Sequence, residues 1–374
     1  MASKRQVLFL LSGVLVASYA TIATAQQKEI VIGVATAMTG PGAATGQQIA
    51  AGADLAVKEA NAAGGIKGAK IKLLIEDDRT QPGGSVNAFN KLASSKPVVI
   101  LGPTWTNFML TLAPIVKRTE IPVFTSATGA KVTDPDVSGG WIFRAAPSMG
   151  NIIHSLIDYT TKSIAPKRAA IMYSNDEWGK SGYEAFKAAG IKFVAEETFN
   201  FGDKDVSAQV LKLKEAKPDA VILWPSVPAD AGLITNQVRQ FIPDAKIIGS
   251  PAFAVDEYYA LAKKGGEGVV TVAPWVPGLT PPSADWVKAF KANDPKATVS
   301  YTSAESYDAA KIAIKAIAAA PNLEPDSIRK ALYAIKDYEG IVGKYAFDER
   351  GDGLHSAAVV VWTDGEMKPV VLGQ

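Results

Sequence analysis

The sequence predicts an α/β protein of two doubly wound parallel-sheet lobes joined by a three-stranded hinge. Three observations point there. Short apolar runs of strand type alternate with amphipathic helical stretches, the signature of a parallel sheet covered on both faces. That alternation restarts after residue 150, giving two tandem units of roughly 120 residues each, an ordinary domain size. Three stretches break the rhythm with Pro, Gly or charge: residues 143–148 (FRAAPS), 272–278 (VAPWVPG) and 345–353 (YAFDERGDG). A chain crossing at each of them makes lobe 1 from residues 26–144 and 277–347, and lobe 2 from residues 145–276 and 348–374.

The first unit opens on residues 29–37 (EIVIGVATA), a continuous apolar run of the kind that buried parallel strands show. Residues 47–63 follow with helical spacing, placing Ile49, Ala53, Ala56, Val57 and Ala60 on one face. A strand over 70–75, a helix over 82–94, a strand over 98–101, a helix over 106–119 and a strand over 122–125 complete it. The second unit runs helix 152–161, strand 168–173, helix 179–189, strand 192–197, helix 206–216, strand 220–224, helix 229–240, then strands 246–249 and 269–273. Helices over 283–292, 303–318 and 325–334 come after the second crossing. Residues 357–362 and 367–371 flank Asp364-Gly365, a dipeptide that favours a hairpin turn.

The 374 residues are 48 % hydrophobic and 20 % charged, ample for a buried core and unlike a disordered chain. Residues 1–25 read as a secretory leader: Lys4 and Arg5, an apolar run over 7–20, then Ala23-Thr24-Ala25 as the cleavage site. The apolar run is short for a bilayer span of roughly 20 residues, and no cysteine follows for a lipid anchor. A soluble exported protein is expected. Taking Lys4 and Arg5 from the 39 basic residues leaves 37 against 37 acidic ones, so no basic field is available for nucleic acid. Zero cysteines exclude disulfides, thiolate catalysis and Cys-based metal sites, and two histidines, His154 and His355, exclude a His-rich one. No cofactor or metal is expected, and a monomer is.

Open α/β sheets bind ligands beyond the carboxyl ends of their strands. Beyond the first strand lies the stretch 39–46 (TGPGAATG). Its glycine spacing is not the dinucleotide fingerprint and Pro41 sits inside the turn, so it reads as a tight turn that lets a ligand approach backbone. Gly102-Pro103-Thr104-Trp105-Thr106-Asn107 follows the third strand and Thr125-Ser126-Ala127-Thr128-Gly129 the fourth. Both set hydroxyls beside N–H groups at a helix start, where a carboxylate is stabilised by charge-assisted hydrogen bonds. Ser and Thr there also serve as ordinary caps, but two such loops on adjacent strand ends favour a shared anion site. Trp105, Trp178, Trp224 and Trp275 fall at strand ends or just beyond them in both halves, which suggests a cleft walled by flat apolar surface. Neither histidine has a Ser–Asp pairing nearby, so a periplasmic hydrolase lacks its machinery and no catalytic residue is assigned. Glu76-Asp77-Asp78-Arg79 reads as solvated, locally paired charge, and the stretch 348–353 lacks the terminal acid of a calcium loop.

These stretches resemble the periplasmic solute-binding proteins of ABC importers, branched-chain amino acid type. The resemblance rests on residues 32–78 (IGVATAMTGPGAATGQQIAAGADLAVKEANAAGGIKGAKIKLLIEDD), ILGPTWTNFMLTLAPI, IPVFTSAT, FRAAPS and NDEWGKSGYEAF. It implies the type I periplasmic binding protein fold, closure on a solute, an inner-membrane ABC permease as partner, and no enzymatic activity. It also implies that Thr106, Ser126 and Thr128 hold a ligand carboxylate, that Trp178 covers the ligand, and that Thr45 and Ser226 face it. Trp105, Phe253 and Trp275 are expected to complete the lining. One departure stands out. Amino-acid binders of this type hold the ligand ammonium with an acid after the strand ending at Gly249, where this chain reads Ser250-Pro251-Ala252-Phe253. Asp256, further on, reads as a helix cap. Tyr is commoner where Trp178 stands. A missing acid and added aromatic surface favour an aromatic acid of benzoate or phenylpropanoid type, with a branched-chain or other aliphatic amino acid as the alternative.

Overall fold

A computed structural model describes residues 29–354 and 357–370. The expected leader over 1–25 and His355 lie outside the described residues. The first sheet holds six parallel strands: β1 (Ile30–Thr36), β2 (Ile71–Asp77), β3 (Val99–Leu101), β4 (Val123–Thr125), β5 (Ile142–Pro147) and β13 (Asp352–Leu354). Their order is β13-β5-β4-β3-β1-β2. β1 is an interior strand, paired through Ile32 with Leu73 on one side and Val99 on the other. Burial on both faces is why it reads as unbroken apolar sequence.

The second sheet has the order β15-β14-β10-β9-β8-β6-β7. Its parallel strands are β6 (Ala169–Ser174), β7 (Phe193–Phe199), β8 (Ala220–Trp224), β9 (Lys246–Gly249) and β10 (Val270–Ala273). The edge strand β7 alternates half-buried and exposed residues, which is where Glu196 and Glu197 are tolerated. The predicted terminal hairpin forms as β14 (Ala358–Thr363) and β15 (Glu366–Pro369), antiparallel, on β10. Asp364 and Gly365 both take positive φ in its turn. A short ribbon, β11 (Tyr338–Glu339) with β12 (Lys344–Tyr345), precedes β13.

Helices cover both sheets. The first lobe carries α1 (Ala43–Ala62), α2 (Pro82–Ser94), α3 (Thr106–Thr119) and the short α4 (Pro135–Ser138). The second carries α5 (Met149–Tyr159), α6 (Glu177–Ala188), α7 (Ser207–Glu215), α8 (Pro228–Phe241) and α9 (Asp256–Ala262). After β10 the chain returns with α10 (Ser283–Asn293), α11 (Tyr301–Ala319) and α12 (Pro325–Tyr333). α11 lies along α1, and Ala53, Ala56, Ala304, Ala310, Ile312 and Ala313 are buried in one core. The two backbones approach at Gly52, where a Cβ would stand 2.1 Å from the Ser303 carbonyl oxygen. Polar contacts fix the register: Ser306 Oγ donates to the Ile49 carbonyl at 2.7 Å, and Ser300 Oγ to Gln48 Oε1 at 2.6 Å.

Sheet pairing carries the first lobe further than the sequence boundaries at 144 and 347. The stretch FRAAP is not linker but the apolar, fully buried strand β5, and α5 starts only at Met149. The stretch 345–353 likewise stays in the first lobe: Tyr345 Oη donates to the Ala145 carbonyl at 3.1 Å, and Asp352 lies in register with Arg144. The charges of this stretch, read as a break, form a buried ion pair there. Arg144 is fully buried, with Nε 2.9 Å from Asp352 Oδ1.

Candidate ligand-binding site

The carboxyl ends of β1, β3 and β4 open towards those of β6, β8 and β9, and one cavity lies between them. It encloses about 590 Å³ of space free of atoms, part of it open to solvent. Thr45, Trp105, Thr106, Ser126 and Thr128 line it from the first lobe, and Trp178 and Ser226 from the second.

The glycines of the 39–46 turn serve close packing. A Cβ on Gly46 would stand 1.9 Å from the Ala37 carbonyl, and one on Gly42 would strike the Trp105 ring at 2.2 Å. Tight contact there brings the first turn of α1, with Thr45, to the cavity and sets Trp105 as its wall. Trp105 is also the N-cap of α3, and no side chain caps that helix. Its first-turn N–H groups keep their donor capacity. Thr106 starts the helix, and its Oγ1 accepts from Gly129 N at 3.1 Å, tying the β3 and β4 loops together.

The β4 loop is held from beneath. Thr125 Oγ1 donates to the Pro103 carbonyl and accepts from Ala127 N. The Thr128 carbonyl receives Arg144 Nη1 at 2.5 Å and Met149 N at 2.7 Å. Arg144 Nη2 donates to the Gly129 carbonyl and to Thr133 Oγ1. With its backbone so fixed, Thr128 turns a buried hydroxyl that has no protein partner into the cavity.

In the second lobe Asp176 caps α6, accepting from Gly179 N at 2.7 Å and from the hydroxyls of Ser174 and Ser226 at 3.0 Å each. Trp178 Nε1 donates to the Pro225 carbonyl, and its ring stacks on Trp224 at 5.7 Å. Trp178 is thus a rigid wall with its polar atom already satisfied.

Three aromatic expectations are corrected. Trp224 is fully buried under Trp178, against Gly182 where a Cβ would meet its ring at 2.2 Å. Trp275 packs edge-on against Trp286, 5.4 Å between centroids, in the first lobe's core, because the chain has already returned there. Phe253 closes a 3-10 turn over Pro251–Phe253 and points into the second lobe's core beside Tyr258. Neither Trp275 nor Phe253 lines the cavity. Asp256 is the exposed first residue of α9 and not its cap, which is Val255. His154 is exposed on α5. In the acidic cluster, Asp77 accepts from Met38 N, Thr39 N and Arg79 N, whereas Asp78 is buried and not solvated.

Sequence reasoning missed the contribution of α11. Tyr301, Thr302 and Glu305 all line the cavity from it. Glu305 is fully buried, and neither of its carboxylate oxygens accepts a well-formed hydrogen bond. Burial pushes its carboxyl up to about 8, aided by the negative charge of Asp308 and opposed by the Ser126 hydroxyl. Burial likewise raises Asp308 to about 7, against the N–H groups of Val342 and Ile341 that it accepts. The signal in the sequence is two acids, Glu305 and Asp308, inside a helical run otherwise made for a core. Carboxyls in an unfolded chain ionise near pH 4. As pH rises the unfolded chain therefore ionises first, and these two groups lower stability progressively from about pH 4 to pH 8. A urea midpoint higher at pH 5.5 than at pH 8.5 is expected; an unchanged or rising midpoint would contradict the assignment.

Two α/β lobes with a hydroxyl-lined cavity between them are the architecture of a solute-binding protein. The chain belongs to the periplasmic binding protein family, which it matches over residues 29–366. It is 30 % identical over 365 residues to the Leu/Ile/Val-binding protein homolog 3 of Brucella melitensis, covering 96 % of this chain and 98 % of that one. Its fold is that of type I periplasmic binding proteins. It superposes with a TM-score of 0.83 on the branched-chain amino acid transporter substrate binding protein LivJ of Streptococcus pneumoniae, solved with isoleucine, at 24 % identity over 92 % of this chain and 99 % of that one. A type 1 periplasmic binding protein of Bordetella pertussis gives the same TM-score at 25 % identity, over 92 % of this chain and all of that one.

Proposed function

We propose that this protein is the periplasmic solute-binding component of an ABC importer, and that it takes up an aliphatic amino acid of the Leu/Ile/Val type. The solute enters between the lobes, hinge closure covers it, and the closed form is handed to an inner-membrane permease. The protein performs no chemistry on it. The observation that carries this reading is the uncapped start of α3 beside the unpartnered Thr128 hydroxyl, both at one cavity. A carboxylate buried there gains several donors at once, which offsets its desolvation. The Brucella relative's name and the isoleucine held by LivJ support an amino acid. The case for an aromatic acid loses its ground on two counts. The cavity is not without an acid, since Glu305 lines it, and three of the aromatics expected at it, Trp224, Phe253 and Trp275, lie in the cores.

Calorimetric titration of ligand-stripped protein with leucine and with benzoate tests this. Heat is expected from leucine and none from benzoate; tight benzoate binding with a silent leucine titration would sink the proposal. Thr128→Ala should weaken leucine by about 1–3 kcal/mol, the value of a hydrogen bond to a charged group, with the thermal midpoint little changed.

A further inference from the structure

We infer that Glu305 receives the ammonium of the amino acid, so that the first lobe alone holds both charged ends of the ligand and the second lobe reads only its side chain. The inference rests on the proposed amino-acid ligand. Glu305 projects from α11 into the cavity that Thr106, Ser126 and Thr128 line from the β3 and β4 loops, all in one lobe. It is fully buried and has unused acceptor capacity on both oxygens. A buried carboxyl left so is costly unless a partner arrives. No residue lining the cavity is Lys, Arg or His, so no cation of the cavity wall competes for it.

The second lobe offers no rival. Its loop after β9 contributes Pro251 and Ala252, and the Ser250 hydroxyl is spent on the Pro225 carbonyl at 2.7 Å. Ile152, Trp178, Pro228 and Pro251 present carbon to the cavity from that side. The acid expected after β9 is therefore replaced by one from the opposite wall. Charge recognition precedes closure, and side-chain selection accompanies it.

The titratable groups around Glu305 are Tyr301 and Asp308 on its own helix and Tyr345 on β12, none of them cationic. In the empty site at neutral pH the carboxyl carries its proton, because burial holds it up to about 8. An arriving ammonium favours the carboxylate, and the displaced proton goes to solvent. Leucine binding should release most of one proton at pH 7 and little at pH 9.

The test is calorimetry with leucine and with 4-methylpentanoate, its amine-free analogue, in buffers of different ionisation enthalpy. The unaltered protein should prefer leucine. Glu305→Gln should weaken leucine at least about 100-fold, as loss of one partner from a buried pair does. It should leave 4-methylpentanoate within about threefold, since a neutral amide replaces a neutral acid. Proton release should vanish in the variant. Equal weakening of both ligands, or unchanged leucine affinity, would overturn the assignment and leave the amino-acid reading standing. A protein that binds no leucine at all would overturn both. Should the variant not fold, the proton count on the unaltered protein decides: leucine binding that is buffer-independent from pH 6.5 to 9 rejects Glu305 as the acceptor.

Discussion

Arg144→Met should lower the free energy of unfolding by about 3–5 kcal/mol, the usual cost of removing one partner from a buried ion pair. Asp352 would stay largely buried without its guanidinium, and the carbonyls of Thr128 and Gly129 would lose the donors that fix them. The Thr128 carbonyl also accepts from Met149 N at the start of the second lobe. Loosening it should cost ligand affinity as well as stability, although Arg144 touches no ligand. Arg144→Lys keeps the charge but not the planar fork that serves four acceptors, and should recover only part of the loss. The double replacement of Arg144 and Asp352 by Met and Asn should lose less than the two single changes together, because no lone charge remains. Urea denaturation followed by tryptophan fluorescence reads the first effect and calorimetry the second. A loss under 1 kcal/mol for Arg144→Met would mean the buried Arg144–Asp352 pair is not structural.

Gly52→Val should be nearly as damaging, at about 3 kcal/mol. A Cβ at this position overlaps the Ser303 carbonyl and approaches Tyr307 N within 3.1 Å. Backbone cannot yield as a flexible side chain can, so α11 must move off α1, with loss of packing along both helices. α11 carries Tyr301, Thr302 and Glu305, so ligand affinity should fall with stability. Gly83→Ala supplies the contrast. It lies in the first turn of α2 with nothing near its missing Cβ, and gains about 0.5 kcal/mol or nothing from helix propensity. Thermal melts of the two variants separate close approach from propensity; a Gly52→Val protein as stable as the parent would show that the helices are not held at this contact.

Strand and helix existence was legible over most of the chain, because the parallel strands inside both sheets are buried on both faces and read as unbroken apolar runs; β5 and β13, taken for crossings, are the exceptions. Helix starts were less so: α1 begins at Ala43, inside a glycine-rich stretch that reads as turn, since its glycines are needed for contact with Ala37 and Trp105. The first and third crossings fall later than expected for a related reason. Arg144, Asp348 and Asp352 look like surface charge in a one-dimensional string, but Arg144 is buried against Asp352. The carboxylate half of the site could be read from strand ends, where local rules apply. Glu305 could not, because it reaches the cavity through a helix that packs on an element some 250 residues earlier, and no local pattern marks that pairing. Of the four tryptophans, Trp105 and Trp178 line the cavity and Trp224 and Trp275 do not: a strand end decides the level at which a ring sits, not which side of the backbone it takes.

The docking of α11 on α1 also imposes an order on assembly. The five parallel strands of the second sheet lie between Ala169 and Ala273, uninterrupted by any part of the other lobe. The first sheet, although its leading strand is the first to leave the ribosome, keeps the apolar face of α1 uncovered until residues beyond 300 arrive. Joining ends so far apart is slow unless the intervening chain has already shortened the gap by folding. The parallel core of the later lobe can therefore assemble first, with β14 and β15 added last, and the earlier segment spends the longest time as an adhesive surface in need of protection.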